Sequence, residues 1–133
     1  MPFNILIVEN DSFIMDLVIK SLKNLEKFGE EIHIIPAFTL SQGFYAFNNV
    51  GKDIFCSILG GQLDLYTTTL PLAKEMNENG FPATRISFSG NPELQRQQME
   101  AGCVNKFDKG EIEKMATFIE EQILIKEKKL SKT

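Results

Sequence analysis

Apolar residues along this chain follow two alternating rhythms. Short runs rich in β-branched and aromatic residues occur at Asn4–Val8, Ile32–Phe38, Ile54–Leu59, Arg85–Ser89 and Cys103–Phe107. Each is too brief for a helix. The first is apolar on both faces, as expected of a central parallel strand covered on both sides. Between the runs the period changes to that of a helix. Ile14, Leu17, Val18, Leu22 and Leu25 follow Phe13, while Gly43, Phe44, Phe47 and Val50 mark a shorter segment that ends near Gly51. Thr69 and Pro71 open a third helix running to about Glu78, and Pro92 to Ala101 forms a fourth. Ile112, Met115, Ala116, Ile119 and Ile123 give the last helix a regular stripe. Asp11 or Ser12 and Asn91 stand where caps belong, and Gly29 and Gly102 where helices stop.

Five strands alternating with five helices predict an α/β fold, a doubly wound parallel sheet with right-handed crossovers and helices on both faces. In such a sheet ligands and chemistry gather at the carboxyl ends of the strands. That directs attention to the residues after the first, third, fourth and fifth strands. One stretch resists assignment: Gln62 to Thr68, beyond the pair Gly60 and Gly61, has no clear period.

Composition narrows the class. The chain of 133 residues, 43% hydrophobic and 24% charged, fits a single globular domain with its core over about residues 3–125. Residues 126–133 carry four lysines and read as a basic, solvated tail. A net charge of -4 argues against a surface built for nucleic-acid phosphates. No run reaches the roughly 20 apolar residues that span a bilayer, and no leader pattern precedes the first strand, so a cytoplasmic location is expected. Cys56 and Cys103 lie in or beside apolar runs and read as buried thiols, and His33, flanked by Ile34 and Ile35, reads as structural.

At the strand ends the sequence resembles a known family. Ile5-Leu6-Ile7-Val8-Glu9-Asn10-Asp11 is similar to the first strand and acidic pair of CheY-like response regulator receiver domains. Ser87-Phe88-Ser89-Gly90 resembles their fourth strand with its Ser or Thr. Met99 to Lys109 resembles the fifth-strand segment that ends in their lysine. The resemblance covers nearly the whole chain and implies a flavodoxin-like sheet in the order 2-1-3-4-5. In that family an aspartate at the end of the third strand takes a phosphoryl group, carboxylates hold a divalent ion, and the lysine and hydroxyl contact phosphoryl oxygens.

Against that pattern the chain is degenerate. Counting from Asp53, the accepting position falls on Ile58, which has no nucleophile. Glu9 keeps the first place of the acidic pair but Asn10 holds the second, so no metal site is expected and Mg2+ should bind weakly or not at all. Ser89 and Lys109 are retained. Lys109 either pairs with Glu9 or points to solvent. Lys106 stands at the family's aromatic position in the fifth strand. The loop after the third strand is roughly three residues longer than the family's and reads either as a binding loop or, more simply, as an unconstrained surface insertion.

The function expected from this is a stand-alone pseudo-receiver of two-component signalling, not an enzyme, that binds a protein partner without phosphorylation. A histidine kinase or another signalling protein would be the partner. The resemblance implicates Gln95, Arg96 and Gln98 on the fourth helix and Lys106 on the fifth strand as contact residues, and homodimerisation through the last helices is left open. Two alternatives remain: a regulator phosphorylated at a non-standard carboxylate, with Asp53, Asp64 and Asp11 as weak candidates, and a small-molecule sensor on the same fold.

Overall fold

The computed structural model describes residues 3–131. Five parallel strands form one sheet: β1 (Phe3–Val8), β2 (Ile32–Ala37), β3 (Ile54–Gly60), β4 (Thr84–Phe88) and β5 (Asn105–Phe107), in the spatial order β2-β1-β3-β4-β5. The helices α1 (Ser12–Lys23), α2 (Leu40–Val50), α3 (Leu70–Glu78), α4 (Pro92–Glu100) and α5 (Ile112–Ser131) alternate with them. Ile5, Ile7, Ile58, Ile86 and Phe88 face one side of the sheet, where Met15, Val18 and Leu22 of α1 and Met115, Ile119 and Ile123 of α5 cover them. Leu6, Val8 and Leu59 face the other side, beneath Ala46 of α2 and Leu72, Ala73 and Met76 of α3. The predicted fold class and strand order are therefore the observed ones.

Local chemistry sets the boundaries. Asp11 caps α1, its Oδ1 accepting from the backbone N–H groups of Phe13 at 2.9 Å and Ile14 at 3.2 Å. Asn91 caps α4 in the same way, accepting from Glu93 at 3.0 Å and Leu94 at 3.2 Å. Within α1 the inward residue that the apolar spacing had passed over is Met15; Leu17 is exposed.

Two departures bear on function. β3 carries one extra residue relative to β1. Asn4 pairs with Ile54 but Ile5 pairs with Cys56, so Phe55 is bulged and both Phe55 and Cys56 pack toward α1 and α5. The second concerns the basic tail. Residues 126–131 continue α5, and Lys126 lies over aromatic rings, its Nζ 5.1 Å from the Phe55 centroid and 5.8 Å from that of Phe3. Phe3 and Phe55 themselves meet edge to face at 5.1 Å. The last two residues of the expected tail, 132–133, lie outside the described residues.

Burial pushes both thiols up, Cys103 to about 12 and Cys56 further, so both stay protonated at neutral pH.

Candidate functional site at the carboxyl end of the sheet

Four loops meet at this edge, and two of the residues singled out in the sequence are joined there. Glu9, at the end of β1, is 2% exposed. Lys109, following β5, donates through Nζ to Glu9 Oε1, and the same ammonium sits 4.2 Å from the centroid of the Phe88 ring. The second carboxylate oxygen of Glu9 accepts the backbone N–H of Asp11 at 3.0 Å. Both oxygens of the buried acid are thus satisfied, and its charge is balanced by a lysine that remains partly open to water. Of the two orientations open for Lys109, pairing is the one observed.

Asn10 does not face this pair as a free ligand. Its side-chain amide donates to the carbonyl of Leu63 at 2.5 Å, tying the β1–α1 loop to the loop after β3. Ser89 is buried, and its Oγ accepts the backbone N–H of Asn91 at 3.1 Å, turning the chain into α4. With one carboxylate held by an ammonium and the neighbouring amide engaged elsewhere, this donor set does not fit a divalent cation, which takes hard oxygens in a near-octahedral shell. Among the described residues no group of three or more His, Cys, Asp and Glu is arranged to hold a metal ion.

The assignment of Ile58 to the accepting position needs correction. Ile58 pairs with Ile7 on one side and Ile86 on the other, in the middle of the sheet, and is fully buried under α1 and α5. The strand continues for two residues. Leu59 lies beside Val8, the residue before Glu9, and Gly60 lies beside Phe88, the residue before Ser89. The place level with Glu9 and Ser89 therefore belongs to Gly60 and Gly61. Asp53 belongs to the 3-10 turn Gly51–Asp53 rather than to the strand, and the bulge at Phe55 adds a residue, so the position five residues after Asp53 falls short of the strand end.

Neither glycine leaves room for a side chain. A Cβ on Gly60 would lie 2.5 Å from the Val8 carbonyl oxygen and 2.7 Å from Glu9 Oε1. One on Gly61 would lie 2.4 Å from Ser89 Oγ. The strand end is closed by backbone drawn up against its neighbours.

The loop beyond is ordered, contrary to the expected unconstrained insertion. Gln62 and Thr68 form an antiparallel bridge, Leu63 N–H donates to the Thr67 carbonyl at 2.8 Å, and Asp64 Oδ1 accepts from Tyr66 N–H at 2.8 Å. Thr69 N–H closes the base on the Gly61 carbonyl at 2.9 Å. These hydrogen bonds from Tyr66 and Thr67 hold the Asp64 carboxyl below the usual range.

The residues expected to contact a partner separate. Arg96 is exposed and bridges Glu93 and Glu100 along α4, and Lys106 is exposed on β5. Gln95 is half-buried, its amide donating to the Ser89 carbonyl. Gln98 is not a surface residue: it is fully buried, accepting from Ser87 Oγ at 2.5 Å and donating to Thr69 Oγ1 at 2.5 Å. A polar helix suggested a solvated face, but here the polar group is matched by two buried hydroxyls that link β4, α3 and α4. In the sequence Thr69 reads as a helix start and Ser87 as part of a strand. The signal that pairs them with Gln98 is spatial.

This arrangement of strands and loops has close structural counterparts. The receiver domain protein (CheY-like) of Methanospirillum hungatei JF-1 superposes with a TM-score of 0.79 at 19% identity, over 97% of this chain and 99% of that one. The chain has the receiver fold. The signal receiver domain of a DNA binding response regulator (merR) from Colwellia psychrerythraea 34H gives 0.77 at 16% identity, covering 91% of this chain and 98% of that one. For the receiver domain of NtrX from Brucella abortus the values are 0.69 and 22%, with 89% and 95% covered. No protein-family model and no curated protein sequence matches the chain. At such identities the likeness to the receiver domains is one of fold. Among the described residues, no helix is long and apolar enough to cross a membrane.

Proposed function

We propose that this chain is a pseudo-receiver, a signalling module on the receiver fold that acts by binding a protein partner, without being phosphorylated and without catalysing a reaction. The observation that supports it most is the closed end of β3, where Gly60 and Gly61 lie against Val8, Glu9 and Ser89 with no space for a carboxylate. The Glu9–Lys109 pair supports the same reading, since the ammonium is already held by the buried Glu9 carboxylate. With neither a nucleophile nor a metal-binding set of oxygens, in-line phosphoryl transfer lacks its attacking atom and its charge-balancing ion. Binding is what such a surface retains, and a partner from two-component signalling suits the fold.

The test is incubation of the folded protein with acetyl phosphate and magnesium, read by intact mass and by thermal melting. The expected result is an unmodified mass and a melting temperature indifferent to magnesium. A gain of one phosphoryl group, mapped to Asp64, Asp11 or any other residue, overturns the proposal in favour of a regulator phosphorylated at a non-standard carboxylate.

A further inference from the structure

The hairpin between β3 and α3 presents Leu65 and Tyr66 at its tip, 82% and 95% exposed. Exposed apolar side chains are common singly, but these two are adjacent on a turn that cannot fold back to bury them. Its internal hydrogen bonds fix the backbone, and Leu63, two residues earlier, is anchored in the core beside α2 and α3. A rigid support means that the backbone-ordering cost of presenting two large side chains is already met before any partner arrives, which is the property of a binding anchor. The hydrogen bond from Asn10 to Leu63 couples the base of the hairpin to the β1–α1 loop. Phe13, at the first turn of α1 on that same edge, is also exposed, at 69%.

The charge at this edge selects the partner. Asp64 lies at the neck of the hairpin, and its carboxylate stays ionised because Tyr66 and Thr67 donate to it. Asp11 and Asp108, in the loops after β1 and β5, are exposed as well. The lysine at the centre of the edge, Lys109, is neutralised by Glu9. What faces solvent is therefore an apolar tip with carboxylates beside it. Resting on the reading of this chain as a binding module, we infer that the Leu65–Tyr66 hairpin is the anchor for a partner protein's segment that carries apolar or aromatic residues flanked by lysine or arginine. The apolar groups cover the tip, and the cations meet Asp64, Asp11 and Asp108.

The experiment selects binders from a random displayed-peptide library with the wild-type chain. Affinities of the recovered synthetic peptides are then measured against the wild type, Leu65→Ser/Tyr66→Ser, Asp64→Lys and, on the exposed face of α5, Glu121→Gln. All four substitutions in these variants fall on exposed side chains, and amide spectra verify their folding. The expected peptides combine aromatic or aliphatic residues with Lys and Arg. Their affinity should fall by about tenfold or more in the tip variant, fall in Asp64→Lys, weaken with added salt, and be unchanged in Glu121→Gln. Failure to enrich any peptide, enrichment of acidic or uncharged peptides, or equal binding to the tip variant overturns the inference. So does a dimer in sedimentation equilibrium, or adsorption to phosphatidylserine vesicles, that the tip variant abolishes, because a second copy or a lipid surface is then the occupant. Peptides that bind wild type and tip variant alike leave the pseudo-receiver proposal standing and remove only the hairpin, whereas a phosphoryl mass gain removes the proposal itself.

Discussion

Replacing Ile58 by aspartate separates the two placements of the accepting position. The side chain is fully buried between the sheet and the helices α1 and α5, with Ile7 and Ile86 as its neighbours across the strands. Removing its aliphatic bulk costs about 3 kcal/mol in lost burial and residual cavity. An unpartnered carboxyl in that core, even protonated, adds about 2 kcal/mol, and more if ionised. The sum of roughly 5 kcal/mol is comparable with the whole stability of a small domain, about 5–15 kcal/mol. Ile58→Asp should therefore be largely unfolded or strongly destabilised, while Ile58→Val should cost only about 1 kcal/mol. The pH dependence has a definite sign. Burial raises the folded pKa of the introduced carboxyl above its unfolded value of about 4, so the damage is least below that value and grows as pH rises toward the folded one. Urea denaturation followed by circular dichroism at pH 5 and pH 7, with and without magnesium, measures all of this. A folded Ile58→Asp within about 1 kcal/mol of wild type at pH 7 would refute the placement. So would a saturable rise in melting temperature with magnesium, since either result needs a carboxylate at the solvent-facing strand end.

Two further predictions concern buried polar contacts. Lys109→Met leaves the carboxylate of Glu9 buried with only the Asp11 N–H and should cost about 3 kcal/mol, with Glu9→Gln costing less because Lys109 can turn to water; in the double variant urea denaturation should reveal about 1–3 kcal/mol of coupling, and strict additivity would count against a working pair. Gln98→Leu strands the hydroxyls of Ser87 and Thr69 and should cost about 2 kcal/mol, much of it recovered when Ser87→Ala and Thr69→Val are added; if Gln98→Leu alone is as stable as wild type, the buried chain of hydrogen bonds is not holding α4.

Periodicity and punctuation made most of the fold legible. The caps at Asp11 and Asn91, the helix opened by Thr69 and Pro71, and the five apolar runs all mark real elements because each reflects a local rule of backbone satisfaction or burial. What stayed hidden depended on neighbours distant in sequence. The bulge at Phe55 appears only when β3 is laid beside β1, and it shifted the apparent position of the strand end. Val8 and Leu59, which lie side by side, locate that end from the other direction, and the glycine pair was the visible clue that backbone approaches closely there. Gln98 looked solvated because burial of an amide is legible only through its hydroxyl partners. The lysines after Ile125 read as a tail because the aromatic rings beneath Lys126, Phe3 and Phe55, are distant in sequence. At the site itself, Glu9 and Lys109 are recognisable through the resemblance of their segments to receiver strand ends, but which of two orientations Lys109 takes is decided in three dimensions.

The closure at Gly60 bears on how proteins of this fold are sorted and rebuilt. A survey that grades receivers by the letter in one aligned column would score this chain on an isoleucine, when the place in space is held by a glycine two residues later. The grade would be the same and the remedy wrong. On the proposed pseudo-receiver reading, exchanging single side chains offers no route to phosphoryl transfer, because the obstacle at Gly60 is the carbonyl of Val8, part of the main chain. Restoring an acceptor is a grafting problem: the unit to transplant is the stretch 54–68, strand and hairpin together, so that the extra residue at Phe55 and the tight contact at Gly60 are removed in one step.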